Sequence, residues 1–325
     1  MSSATSPCDP LPTAQDVLDA AARLRGRIHQ TPLVRNRSID EAAGFDVYLK
    51  CENLQRTGSF KIRGALNALL RIPEERRAAG VIAFSSGNHA QAVALAARMI
   101  GIPATVVMPE YSVKAKVAAT LAYGAEVVRE GVDASNRKQI AEEIARERGA
   151  TIVPPFDHPH IIAGAGTAIL EALESCPAAR SVVVPLGGGG LLSGTALAAT
   201  STRPDIDVWG VEPATGDDGK RSFESGAIVT IDPPRTIADG ARTLALGECN
   251  FAIIRERVRG IATVTDEEII ETLSFAMSRT KLVIEATGAL ALAAVLSGRI
   301  PELVPPVIVM VSGGNLDFAL FSRMR

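Results

Sequence analysis

The fold is decided by residues 81–153, which open with VIAFSSGNHAQAVALAARMIGIPATVVMP over 81–109. Val81-Ile82-Ala83-Phe84 is an apolar run of strand length, cut off by the small polar residues Ser85-Ser86-Gly87-Asn88-His89. The Ala-rich residues 90–99 read as a helix closed by Gly101, and residues 104–108 read as a strand ended by Pro109. Residues 112–123 predict a helix, 126–128 a strand, 137–148 a helix and 151–153 a strand. Such alternation implies a parallel sheet covered by helices, because a strand rejoins its neighbour in the same direction only through a crossover.

The same grammar extends outward. Upstream, residues 13–27 predict a helix capped by Thr13, residues 32–34 are extended, 46–52 alternate as a strand and 59–70 form a helix. Downstream, apolar strands at 181–186, 208–212 and 307–311 alternate with helices at 191–200, 266–280 and from about Gly288, while 213–250 carries few periodic signals. The expectation is an α/β protein of two doubly wound, mainly parallel-sheet domains. Residues 1–79 and 157–325 would form the large domain, with a small domain, 80–156, inserted in it. Ligands of such folds lie in the crevice at the carboxyl ends of the strands.

Composition narrows the partners. Among 325 residues, 34 basic against 36 acidic side chains leave a net charge of −2, and aromatics are 4%. Neither a basic patch nor stacking platforms for nucleic acid are indicated. The N-terminus lacks a basic segment followed by an apolar run, and no stretch reaches the ~20 apolar residues of a membrane span. A cytoplasmic protein is expected. Cys8, Cys51, Cys176 and Cys249 show no CxxC spacing, so no zinc ribbon or redox motif is supported, and isolated thiols are expected.

Three strand ends and one lysine carry the chemistry. Gly187-Gly188-Gly189-Gly190, between an apolar strand and a helix, exposes amides at a helix N-terminus and suits a phosphate; a tight turn is the competing reading. No lysine follows to make a P-loop, and the dinucleotide spacing is met only loosely. Ser85-Ser86-Gly87-Asn88-His89 and Ser312-Gly313-Gly314-Asn315 end two further strands in short polar side chains. Lys61 lies between Phe60 and Ile62 at a helix start. A positive helix end and a dry setting both lower an amine pKa, which prepares a lysine for Schiff-base chemistry.

Taken together, TPL, YLKCENLQRTGSFKIRGA, SSGNHAQAVALAA, PFDHPHIIAGAGT, VPLGGGGLLSG, GVEP, TIADG and VSGGN, in that order, resemble the fold-type-II pyridoxal-phosphate enzymes of the threonine/serine dehydratase and serine racemase branch. The resemblance covers residues 13–325 and implies a tryptophan-synthase-β-like fold with pyridoxal 5′-phosphate between the domains. It implies that Lys61 holds the cofactor covalently and moves the Cα proton, Phe60 packs on the ring, Asn88 bonds the ring 3′-oxygen and Ser312 faces the ring nitrogen. Gly187, Gly188, Gly189, Gly190 and Leu191 would bind the phosphate. Ser85, Ser86, Gly87, Asn88 and His89 would cradle the substrate carboxylate, with Arg137 as a further carboxylate ligand and Ser86 as the residue acting on the opposite face in racemases. Glu212, Gly216 (through its carbonyl) and Asp218 match a cation site for Mg²⁺ or Ca²⁺.

The implied activity is β-elimination: a β-hydroxy amino acid such as L-threonine or L-serine goes to its 2-oxo acid and ammonia. A racemase, or a dehydratase for a hydroxyectoine-derived substrate, 3-hydroxyaspartate or phenylserine, is the alternative within the family; a non-catalytic ligand-binding α/β protein is the alternative outside it, and the intact Lys61 argues against that. Two departures stand out. Glu285-Ala286-Thr287-Gly288 replaces the more usual EPTAG, so Thr287 or Ala286 signals an altered substrate. The chain ends at Arg325, so no C-terminal regulatory domain is expected. A homodimer is expected by resemblance.

Overall fold

A computed structural model describes residues 10–133 and 135–323. In chain order the strands are β1 (Leu33–Arg35), β2 (Val47–Cys51), β3 (Val81–Phe84), β4 (Ala104–Val107), β5 (Glu126–Val128), β6 (Thr151–Ile152), β7 (Ser181–Pro185), β8 (Asp207–Pro213), β9 (Gly260–Val264) and β10 (Val307–Val311). The deciding stretch supplies one sheet, ordered β5-β4-β3-β6 and parallel throughout. The flanking sequence supplies the other, ordered β1-β2-β10-β7-β8-β9 and parallel except for the β1/β2 pair. The expected α/β architecture of two mainly parallel sheets is therefore what the chain forms. The apolar strands of the larger sheet are buried on both faces: Val182 and Val184 meet Ile162 and Ile169 on one side, and Val183 and Val309 meet Leu290 and Leu292 on the other.

Several elements escaped the sequence pattern, the short helices Arg37–Ala43 and Glu74–Arg77 among them. The helix Pro159–Ser175 is Ala- and Gly-rich and mostly buried, so it presents no polar face for a period to mark. The helices Asp218–Ser225 and Glu248–Arg257 lie in or beyond the weakly periodic stretch, and β9 follows them. The latter helix is held at its start by Asp157, whose carboxylate accepts from the amides of Glu248 and Cys249, each at 3.0 Å. Cys51 and Cys176 are free and buried, as expected, whereas Cys249 is disulfide-bonded, a pairing that spacing along the chain does not reveal. Cys8 lies outside the described residues.

The helix Lys61–Leu70 is fixed by a buried ionic cluster. Arg63, fully buried two residues past Lys61, reaches Glu52 with Nε at 2.7 Å and one terminal nitrogen at 2.8 Å. It reaches Glu171 on the helix Pro159–Ser175 at 2.7 and 2.8 Å. Lys50 adds a bond of 2.5 Å to Glu171 and one of 2.7 Å to the Thr31 carbonyl. Burial alone would push the Glu52 carboxyl up; Arg63 and Lys50 outweigh it and hold it below the usual range. Asn67 then ties the same helix to the His160 carbonyl at 2.7 Å. Two cations and two carboxylates thus neutralise each other, all buried except Glu171, whose side chain is 21% exposed, and they set the direction of the helix that begins with Lys61.

Candidate active site

Four strand ends converge on one cavity. β3 runs into Ser85–Asn88, β7 into the glycine run, β10 into Ser312, and the segment after β6 supplies Pro155 and Phe156; Phe60 and Lys61 complete the floor. The cavity lies at the carboxyl ends of both parallel sheets, the position that chain topology favours for a ligand. Every residue expected for the cofactor and the substrate lines this one cavity: Phe60 and Lys61, the residues from Ser85 to His89, Arg137, the run from Gly187 to Leu191, and Ser312. The cation set does not line it.

The Lys61 amine donates to the Pro155 carbonyl at 2.8 Å and stands 4.9 Å from the centre of the Phe60 ring. Burial lowers its pKa to about 8, against the opposing pull of the Glu285 carboxylate. The residue is half-buried while its amine end is desolvated, the combination wanted in a nucleophile that a carbonyl can reach.

The glycine run fits its place tightly. Gly189 caps the helix Gly190–Thr202 with φ 104°, a left-handed value. A Cβ on Gly188 would lie 2.4 Å from the Phe156 ring, so a side chain there would displace the ring. The first-turn amides of this helix have no partner inside it and carry the positive end of the helix dipole, which is an anion cradle.

On the other wall, Gly87 precedes the helix Asn88–Ile100, which starts earlier than the sequence pattern indicated and so puts the amides of Asn88 and His89 in its first turn. His89 is 2% exposed and donates from Nε2 to the Val153 carbonyl at 2.9 Å. Burial first, then the charge of Lys61, drives its pKa down to about 3, so the ring stays neutral and only its backbone amide is available to an anion. Asn88 is held from both sides: Nδ2 donates to Glu285 Oε1 at 2.6 Å, and Oδ1 accepts from Asn315 Nδ2 at 2.9 Å. The segment Ser59–Phe60 is stitched to the β10 end, with the Phe60 amide donating to the Ser312 carbonyl at 3.1 Å.

Four further residues line the cavity, of which only Thr287 is singled out in the sequence, as a mark of altered substrate. Glu285 is buried, with its pKa raised to about 7 by desolvation and then by Asp239. Its Oε2 lacks a protein partner. Lys116, 8% exposed, pairs with Asp239 across the cavity. Phe156 backs the glycine run. Thr287, flagged only as a departure, accepts from the Gly240 amide at 2.9 Å. Nothing local announces the first three, since each acquires its role through residues far away in sequence.

The expected cation ligands lie behind the glycine run. Glu212 Oε1 and Oε2 accept from the amides of Gly219 and Lys220 at 3.0 and 2.9 Å, and a Cβ on Gly219 would touch both Glu212 and Leu186. Asp218 is fully buried and neither carboxylate oxygen has a protein partner. Desolvation raises both carboxyls, Glu212 well above its usual range and Asp218 to about 7. Gly216 is buried on the same turn, its amide bonded to the Pro213 carbonyl at 2.9 Å. Among the described residues no group of three or more His, Cys, Asp or Glu side chains could hold a metal ion. Likewise, no helix among them is long and apolar enough to cross a membrane.

Comparison with known proteins agrees with this geometry. The L-threo-3-hydroxyaspartate ammonia-lyase of Pseudomonas sp is 50% identical over 97% of this chain and 98% of its own. The serine racemase of Schizosaccharomyces pombe is 46% identical over 96% of this chain and 97% of its own. The crystal structure of a threonine deaminase from T.th. superposes with a TM-score of 0.90 at 47% identity, covering 94% of this chain and 99% of that one. The family described as pyridoxal-phosphate dependent enzyme matches residues 24–313. This chain therefore belongs to the pyridoxal-phosphate-dependent enzymes.

Proposed function

We propose that the protein is an ammonia-lyase that converts a β-hydroxy amino acid, of the L-threonine, L-serine or 3-hydroxyaspartate kind, to the 2-oxo acid and ammonia. The observation that carries the reading is the desolvated Lys61 amine, set between an anion cradle at Gly187–Leu191 and a second one at Ser85–His89.

The residues fit the cofactor. The amides from Gly187 to Leu191 would hold its phosphate, Lys61 Nζ would hold it covalently, Phe60 would flank the ring, Asn88 would meet the ring oxygen and Ser312 the ring nitrogen. When bound, the cofactor supplies an electron sink for negative charge on the substrate Cα. A serine rather than a carboxylate at the ring nitrogen favours a neutral ring and a short-lived carbanion, which suits elimination. Ser85, Ser86 and the amides of Gly87, Asn88 and His89 would fix the substrate carboxylate, with Arg137 alongside. Lys61 Nζ, free at neutral pH more often than an ordinary lysine, takes the Cα proton. The β-hydroxyl departs as water, and the released enamine hydrolyses to the 2-oxo acid and ammonia.

A divalent cation, Mg²⁺ or Ca²⁺, at Glu212, Asp218 and the Gly216 carbonyl belongs to the proposal. Its support is the pair of buried Asp218 oxygens without a protein partner, an arrangement whose cost a cation removes. The division into a domain of 80–156 inserted between 1–79 and 157–325, the cytoplasmic location and the homodimer are likewise part of it, and light scattering tests the last.

Purified enzyme given L-serine, L-threonine and L-threo-3-hydroxyaspartate in turn should release 2-oxo acid and ammonia in equal amounts, and Lys61→Ala should not. Absence of both the Schiff-base absorbance and 2-oxo acid overturns the reading. A second reading, racemisation, is favoured by Ser86 facing the same cavity as Lys61 and by the 46% identical serine racemase. D-serine formed from L-serine without pyruvate would select it.

A further inference from the structure

We propose that Lys116 determines specificity: it exchanges its ion-pair partner Asp239 for a second carboxylate on the substrate, so the site prefers 3-hydroxy dicarboxylic amino acids. This rests on the ammonia-lyase reading and adds a substrate class and a residue to it.

Lys116 lies in the first turn of the helix Lys114–Ala122, beside the smaller sheet. Asp239 opens the short turn Asp239–Ala241, which belongs to the half of the chain that forms the larger sheet. Their ion pair therefore bridges the cavity from one wall to the other. A Cβ built on Gly87 would lie 4.0 Å from Lys116 Nζ, which puts the ammonium against the loop that would fix the α-carboxylate. The second carboxylate of a 3-hydroxy dicarboxylic amino acid, carried on Cβ next to the α-carbon, would extend toward this charge.

The two partners are unequally buried, and that asymmetry decides which one can leave. The Lys116 side chain is 9% exposed and the Asp239 side chain 41%. A cation this deep needs an anion beside it, whereas a half-exposed carboxylate can turn to water at little cost. Burial alone would lower the Lys116 pKa; Asp239 and Glu285 outweigh it, and the amine stays charged. A substrate with a neutral side chain leaves the pair intact. A dicarboxylate takes over the Asp239 position and keeps Lys116 neutralised. Arg137 lines the same cavity, has no carboxylate partner among the described residues and is the side chain assigned to the α-carboxylate, which leaves Lys116 for a second one. Arg242, by contrast, is spent on the Thr236 carbonyl.

Thr287 gives the exchange its hinge. Its hydroxyl accepts from the Gly240 amide at 2.9 Å, which pins the turn one residue after Asp239, while the Asp239 side chain itself is 41% exposed.

The test compares holoenzyme of the wild type, Lys116→Gln, Lys116→Arg and Asp239→Asn. For each, kcat/KM is measured with L-threo-3-hydroxyaspartate and with L-serine, and the dissociation constant of succinate, an unreactive dicarboxylate, is measured by calorimetry. Lys116→Gln should lower the hydroxyaspartate-to-serine ratio at least tenfold and weaken succinate similarly, and Lys116→Arg should restore most of both. Asp239→Asn should raise the ratio and tighten succinate severalfold, because it removes the competing anion. Opposite signs from the two halves of one ion pair are what a purely structural pair would not give. Shifts of the same sign, or a ratio within twofold of wild type in both variants, overturn the proposal. If wild type releases 2-oxo acid from none of L-threo-3-hydroxyaspartate, L-serine and L-threonine, the ammonia-lyase reading fails on its own, and the succinate series still decides whether Lys116 is a carboxylate ligand.

Discussion

The Lys61 amine should titrate near pH 8 in cofactor-stripped protein, and the rate at which the protein takes up pyridoxal phosphate should show it. Burial brings the pKa from 10.5 to about 8. At pH 7 such an amine is unprotonated about 9% of the time, against about 0.03% for an ordinary lysine, an advantage of about 300-fold. At pH 9.5 the fractions are about 97% and about 9%, and the advantage shrinks to about 11-fold. The assay is stopped-flow Schiff-base formation, divided at each pH by the rate with Nα-acetyl-lysine, which cancels the titration of the aldehyde itself. The quotient should fall about 25-fold between pH 7 and pH 9.5. Glu285 raises the Lys61 pKa, so Glu285→Gln should move the break to lower pH and enlarge the quotient at pH 7. A quotient flat with pH would mean that the Lys61 amine is an ordinary one, and the argument from desolvation would be refuted.

The remaining predictions concern the cradle, the ionic cluster and the cation. Gly188→Ala puts a Cβ 2.4 Å from the Phe156 ring, so the cofactor dissociation constant, read by equilibrium dialysis, should rise by about tenfold or more, with the melting temperature little changed. Glu52→Gln leaves Arg63 buried with half its anionic partners, and urea titration should record a loss of about 3–5 kcal/mol, the usual result of breaking a buried pair. Mg²⁺ or Ca²⁺ should raise the wild-type melting temperature and a chelator should reverse it. Asp218→Asn should melt no lower than wild type in chelator, since it removes a buried carboxylate that lacks a partner, and should lose the response to the cation.

The residues legible in the sequence share one property: their role is exercised by the backbone or by its immediate neighbours. The runs Ser85–His89, Gly187–Gly190 and Ser312–Asn315 could be placed at strand ends because an apolar run of strand length stops at each of them. The helix Pro159–Ser175 could not, because a helix buried on nearly every side has no polar stripe to betray its period. Charged residues failed for a different reason. Arg63 and Lys116 read locally as ordinary helix-surface cations, and only the fold shows one of them fully buried and the other 8% exposed. Lys116 meets Asp239 across 123 residues of chain, and Asn88 meets Glu285 across 197. The energy of such a pair depends on how dry its surroundings are, and dryness is a tertiary quantity that no local spacing encodes. That division has a consequence for function. The parts common to the chemistry, a lysine and two anion cradles, are backbone-determined and could be read directly. The part that selects among substrates, by the argument from Lys116 and Asp239, is a buried charge and its replaceable partner. Two chains with the same strand-end loops can therefore differ in substrate through residues that look like unremarked surface lysines and aspartates, and the place to look for that difference is the pair of residues facing each other across the cavity.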